Sequence, residues 1–318
     1  MRTNVALVFV LGLLGLSGAP AATAVQRPEN GQITFGRFDP ALGDFSIWAA
    51  NPDGTNQRRL TTVPSFLSDW SPDGQRIAFD FLDDVGVHVA TMAPDGSDVR
   101  QLTFGPAIQE VPKWASDGQS ITFDAASVFP DDPAFATAIW TMDANGSNAT
   151  QVTHDGFDVE PVFSPDGRHI AFGRITGVTA DGDQLEAVDM VDADGTHLRQ
   201  VVAPLAGLEH PDWSPDGRWI SFNIAPEAVG SQQAGSVLVV HPNGNALHAL
   251  RAASERFAFF KPVWSPDGRR LLVGCFDRSV EIDRLCVMPA HGGKVAVITA
   301  DSQEPVNFPA WGTLPPSR

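Results

Sequence analysis

Five near-copies of one eleven-residue phrase run through this 318-residue chain: DWSPDGQRIAF from Asp69, KWASDGQSITF from Lys113, VFSPDGRHIAF from Val162, DWSPDGRWISF from Asp212 and VWSPDGRRLLV from Val263. Within each copy the physics is local. Ser-Pro-Asp-Gly puts Pro where φ near −65° is wanted in a type I turn, and Gly where φ must be positive, the geometry of a hairpin closed by a G1 bulge. A short strand carrying an aromatic residue (Trp70, Trp114, Phe163, Trp213, Trp264) precedes the turn, and an alternating strand such as RIAFDF follows it. The second copy, from Lys113, lacks the Pro but keeps Gly118, the residue whose loss would cost more.

A second turn series interleaves with the first, at Asn51, Ala93, Asp143, Asp192, His241 and Ala290, each with apolar strands on both sides. One repeat therefore reads strand, SPDG, strand, loop, strand, xxDG, strand, and four antiparallel strands recurring every 40–50 residues or so are the signature of a propeller blade. The second series has six members and the first five. The sixth place of the first series is split between the ends of the chain: Phe308–Gly312 matches a first strand and Gly31–Phe38 a second. The expected fold is all-β, a six-bladed propeller over 31–318 whose ring is closed by strands from both termini. The strand aromatics are expected to pack between blades.

Ahead of it, one basic residue, the apolar run Val5–Leu16 and the small-x-small sequence Ala22-Thr23-Ala24 have the layout of a secretory leader. The run is shorter than the roughly 20 residues a membrane span needs. The expected organisation is a signal peptide at 1–24, a short linker at 25–30, and an exported, periplasmic or extracellular chain with no membrane span after cleavage. A net charge of −17 repels phosphate backbones, so nucleic acid is not an expected partner.

The pattern P-x-W-S-P-D-G-x-x-I-A-F, followed by V-M-x-x-D-G and L-T, resembles the TolB-type propeller repeat over roughly residues 31–312. The same repeats occur in propellers of prolyl-oligopeptidase-like peptidases and of some polysaccharide lyases, so the resemblance implies architecture and leaves function open. TolB-family chains carry an N-terminal α/β domain before the propeller. Here the first blade begins shortly after the expected cleavage point, which implies a stand-alone TolB-like propeller.

No G-x-S-x-G elbow occurs after the leader, and the Asp192–Gly195 turn lacks the carboxylates of an EF-hand loop. Among the eight His residues, His154 and His210 fall in neighbouring blade-to-blade connections, where Glu160 or Glu209 could complete a metal site. No cofactor is otherwise expected. Counting back from each first-strand aromatic gives the residues expected around the channel mouth, above all Glu110, Asp158, Glu160, Glu209, His210, Phe260 and Lys261. The longest second-to-third-strand loops, at Asp124–Ala138 and Gly173–Glu186, are expected on the same face. These features point to a monomeric, non-catalytic propeller that binds a protein or peptide at its channel mouth. The alternative is a metal-assisted polysaccharide lyase or hydrolase on the same scaffold. Cys275 and Cys286, directly opposed if their strands fold about the middle of Asp277–Asp283, are expected to form a disulfide in an oxidising compartment.

Overall fold

In a computed structural model, which describes residues 28–126, 136–154 and 156–314, the Ser-Pro-Asp-Gly turns close as their chemistry requires. Ser71 donates its N–H to the Arg76 carbonyl at 2.9 Å, and Gly74 donates to the Ser71 carbonyl at 2.8 Å. Gly74 and its four counterparts have φ between +65° and +69°. The Ser71 hydroxyl donates to Asp73 at 2.6 Å and accepts the Arg76 N–H at 2.9 Å, which locks the turn from inside. The leader expected at 1–24 lies outside the described residues.

The strands form six four-stranded antiparallel sheets. Blade 2 contains β4 (Ser65–Trp70), β5 (Ile77–Leu82), β6 (Val87–Met92) and β7 (Arg100–Gln101). Blade 3 contains β8 (Gln109–Trp114), β9 (Ser120–Ala126), β10 (Thr137–Asp143) and β11 (Thr150–Gln151). Blade 4 contains β12 (Phe157–Phe163), β13 (His169–Val178), β14 (Gln184–Asp192) and β15 (Arg199–Ala206). Blade 5 contains β16 (Leu208–Trp213), β17 (Ile220–Ile224), β18 (Ser236–Val240) and β19 (His248–Arg251). Blade 6 contains β20 (Phe257–Trp264), β21 (Arg270–Asp277), β22 (Ile282–Pro289) and β23 (Ala296–Val297). Blade 1 joins both ends of the chain: β24 (Val306–Thr313) pairs with β1 (Asn30–Asp39), Ile33 opposite Trp311, followed by β2 (Asp44–Ala50) and β3 (Arg58–Arg59).

The core is divided among the blade interfaces. Each of six apolar clusters spans one interface and contains one first-strand aromatic: Trp70, Trp114, Phe163, Trp213, Trp264 or Trp311. A blade cannot bury its own two faces, so these rings hold the circle together, and truncating one to alanine is expected to cost roughly 3–5 kcal/mol.

Three local expectations are corrected. The Gly173–Glu186 segment is not a loop: β13 and β14 continue through it, with Ile175 opposite Glu186 and Val178 opposite Gln184. Strand pairing likewise extends to Ala126 opposite Thr137 on the Asp124–Ala138 segment, whose residues 127–135 lie outside the described residues. Cys275 and Cys286 are joined by a disulfide, but they are not directly opposed. The β21–β22 hairpin turns through 278–281, which sets Cys275 opposite Arg284 and Cys286 opposite Val273. The bond crosses the ladder diagonally, with Cα atoms 6.0 Å apart, within the range a disulfide accepts.

Candidate functional site: the channel mouth

The axial site begins with a backbone irregularity. Every first strand carries a bulge just before its aromatic residue, seen as a register shift against the second strand. In five blades the bulged residue precedes a proline and has positive φ: Val111 (53°), Glu160 (56°), His210 (57°), Lys261 (48°) and Phe308 (53°). Such a conformation costs about 1–3 kcal/mol in a non-glycine residue and persists only where surrounding contacts enforce it. The bulge also takes that residue's N–H out of the ladder, and a buried N–H needs an acceptor.

Side chains at the axis supply those acceptors. Asp80 on β5 accepts from Leu67 at 2.9 Å through Oδ1 and from Val111 at 3.2 Å through Oδ2. Asp124 on β9 accepts from Glu160 at 2.8 Å, and Asn223 on β17 from Lys261 at 2.9 Å. Glu160 accepts from His210 at 2.6 Å, and Asn307 from Phe308 at 2.7 Å. All six bulge amides are therefore satisfied.

The second strands of the other three blades have glycine where Asp80, Asp124 and Asn223 stand. A Cβ at Gly36 would strike the Phe308 ring, one at Gly274 the Phe260 ring, and one at Gly173 the carboxyl of Glu186. Each absent side chain is replaced by a group reaching in from another strand.

Little water reaches these groups, and their ionisation reflects it. Burial raises Asp80 to about 6. Burial, reinforced by Asp80 and Glu160, raises Glu110 to about 7. Asp124 is also held well above the carboxylate range, first by burial and then by Glu110. Burial works in the same direction on Glu160, but His210 overrides it and holds this carboxylate below its ordinary value. The His210 Nδ1 lies 2.5 Å from Glu160 Oε1. Burial lowers Lys261 to about 8 against the pull of Glu160 and Glu209, and its ammonium lies 3.7 Å from the centre of the Phe308 ring, a cation–π contact.

A second charged layer crosses the axis beside the first. Lys113 Nζ lies 3.6 Å from Asp69. Asp69 and Asp212 accept the N–H groups of Trp114 and Trp264, at 2.8 and 3.0 Å, so this layer too holds first strands in place. Above the axis, a cleft of about 620 Å³ opens between Glu209, His210, Phe260, Lys261 and Asp283. Away from the axis, a groove of about 500 Å³ is lined by Leu102, Phe123, Trp140 and Met142, and among the described residues its wall has no charged group.

Of the residues singled out in the sequence, Glu110, Glu160, Glu209, His210, Phe260 and Lys261 come together at this mouth. Asp158 does not line the cleft. It is fully buried, and Arg174 holds both its oxygens at 2.7 and 2.8 Å. His154 is exposed and joins none of these contacts, and among the described residues no group of three or more His, Cys, Asp or Glu is arranged to hold a metal ion. Sequence reasoning missed Asp80, Asp124, Glu186 and Asn223. Three of them share one repeat position, directly after the second-strand phenylalanine (Val273 in blade 6), where the blades read Gly, Asp, Asp, Gly, Asn and Gly.

The molecule is thus a six-bladed β-propeller whose charged axial residues are built into the backbone of its inner strands. Its fold is that of the TolB-like propellers. The chain superposes on TolB from Acinetobacter baumannii with a TM-score of 0.71 at 20% identity, covering 88% of this chain and 66% of that one. It superposes on an oligogalacturonate lyase in complex with manganese with a TM-score of 0.54 at 13% identity, covering 85% and 74%. At such identities the likeness is one of fold. In sequence, the chain is 26% identical over 188 residues to an uncharacterised protein of Agrobacterium fabrum, covering 55% of this chain and 60% of that relative's length. No protein-family model matches it.

Proposed function

We propose that this chain is an exported, monomeric, non-catalytic propeller that binds a protein or peptide partner at its channel mouth. The observation that carries the reading is the use made of the axial polar groups. Asp80, Asp124, Glu160 and Asn223 hold bulge amides. They act as a rigid frame for the cleft, where a reagent would need free oxygen atoms. Above that frame, Phe260 and Phe276 stand beside Glu209, Glu227, Lys261 and Arg278, an aromatic floor with charges of both signs. A peptide segment, with apolar side chains and charged groups along its length, is complementary to such a surface. Export is supported by the leader-like Val5–Leu16 and Ala22–Ala24 sequence.

Affinity capture from a cell-envelope extract tests this, with the chain lacking residues 1–24 as bait and Phe260→Asp as control. A specific protein retained by the parent and lost in the variant is expected; equal retention by both contradicts the mouth as the binding surface. The second reading, a carbohydrate-cleaving enzyme, draws on one observation: Glu110 and Lys261, held near 7 and 8, face one axial cluster, and perturbed groups of this kind mark catalytic sites as well as structural ones. Release of unsaturated or reducing sugar ends from uronate polymers by the purified chain, abolished in Lys261→Met, would favour it.

A further inference from the structure

The Glu186 carboxyl reaches the axis without holding a bulge amide. Glu186 is only 3% exposed, and its Oε1 has no hydrogen-bond partner. It fills the space left by Gly173, so it points into the ring where Asp80, Asp124 and Asn223 point from their own strands. A side chain at position 173 would have served the N–H of His210, by analogy with Asp124 and Glu160. That N–H is already held by Glu160. Glu186 therefore reaches the axis with an oxygen to spare.

The charged groups around it do not compensate. The carboxylates of Glu160 on β12 and Glu209 on β16 face it, and burial followed by these two neighbours raises Glu186 to about 10. Farther along β14, Asp189 is engaged by Arg174 at 3.4 Å, and Arg174 is already clasped to Asp158. Lys261 acts on Glu160, Glu209, Asp80 and Asp283. Burial and the two facing carboxylates thus favour the neutral form of Glu186 in the free protein, and a buried acceptor without a partner carries a desolvation penalty.

Resting on the binding role proposed above, we infer that Glu186, with Glu209 beside it, forms a socket for a cationic side chain, a guanidinium or ammonium, carried by the partner's segment. Its planar, multi-donor N–H array suits a guanidinium to a carboxylate pair better than a point charge does. Entry of the cation releases the Glu186 proton to solvent and leaves a carboxylate paired with the incoming charge, so binding and proton release are coupled. An all-oxygen metal site is the competing occupant.

The test uses the chain without residues 1–24 and three probes: N-acetyl-arginine amide, its neutral isostere N-acetyl-citrulline amide, and calcium chloride. Calorimetry in two buffers of different ionisation enthalpy reads both affinity and proton release. The expected result is saturable binding of the arginine probe with a proton released, no binding of the citrulline probe, and at least tenfold weaker binding in Glu186→Gln. Should that variant fail to fold, Glu209→Gln takes its place with the same expected direction. Equal behaviour of the two organic probes, no saturable arginine binding, unchanged affinity in the folded variant, or calcium binding that the arginine probe cannot displace would each overturn the socket. The mouth and its socket are separable: a captured partner retained by Glu186→Gln but lost in Phe260→Asp would refute the socket and leave the mouth standing.

Discussion

Glu160 grips His210 twice: its Oε2 accepts the His210 backbone N–H at 2.6 Å, and its Oε1 lies 2.5 Å from the His210 Nδ1. One carboxylate on the first strand of blade 4 thus fixes both the bulge and the ring of the first strand of blade 5. Replacing it with alanine leaves a buried N–H without an acceptor. The expected loss is about 1–3 kcal/mol, read as a lower urea midpoint. Glu160→Gln, which keeps an acceptor oxygen, should lose less. Equal stability of the alanine variant would show that the grip is incidental.

The raised axial carboxyls predict an uncommon pH dependence. Burial is the first cause in each: Glu110 is held at about 7, and Asp80 and Asp212 at about 6, with Lys113 opposing the shift at Asp212. The folded protein keeps protons there that the unfolded chain has already released. Their contribution to stability is greatest below the ordinary carboxylate range and is lost as pH rises through 6 and 7. Lys261, lowered to about 8, acts above that window, because its unfolded counterpart stays protonated to higher pH. Asp277, lowered to about 2 chiefly by its hydrogen bond from Arg256, acts below it. The melting temperature should therefore be higher at pH 5 than at pH 8, by roughly 2–4 °C for each kcal/mol involved, and the difference should shrink in Glu110→Gln. Scanning calorimetry at constant ionic strength checks this, and a melting temperature that rises from pH 5 to 8 would contradict it.

The first-strand indoles offer a test of packing. Trp264 donates its Nε1–H to the Ser221 hydroxyl of the preceding blade at 2.9 Å. The corresponding Nε1 of Trp213 is buried without a partner, and Ala171 occupies the corresponding second-strand position in its cluster. Ser221→Ala should destabilise by about 1 kcal/mol, and Ala171→Ser should stabilise by up to a similar amount. Urea unfolding of the two single variants reads both signs. A stability loss in Ala171→Ser would mean that the hydroxyl does not reach the indole.

Reduction of the diagonal Cys275–Cys286 bond, which ties β21 to β22 in the blade next to the closing seam, should cost about 2–3 kcal/mol at most, since it closes a short loop. Thiol titration of the denatured, unreduced protein should find no free thiol. Two per chain would rule the bond out.

The architecture was legible because it is written in turn chemistry: Pro and Gly at fixed places in Ser-Pro-Asp-Gly leave the backbone few alternatives, and Trp311 opposite Ile33 closes the ring as the split repeat implied. First-strand site residues were legible by counting from the aromatic. The second-strand residues were not, because Asp80, Asp124 and Asn223 alternate with glycines, and one structural place filled from different strands leaves no uniform residue to read. Glu186 was hidden more deeply. It comes from a third strand through the gap above Gly173, inside a segment expected to be a loop and found to be paired strand. Asp158 looked like a rim acid because nothing in the sequence announces that Arg174, sixteen residues on, folds back to it. The disulfide's diagonal offset depended on which four residues make the β21–β22 turn.

The central claim, that the channel mouth is the recognition surface, is tested most directly by the affinity of a captured partner for paired variants. Phe260→Asp alters the mouth cleft, and Phe104→Ser alters an exposed residue beside the outer apolar groove. Surface-immobilised binding measurements should show at least a tenfold weaker Kd for Phe260→Asp and an unchanged Kd for Phe104→Ser. Unchanged affinity in the first variant, with affinity lost in the second, would move recognition to the outer groove and contradict the account.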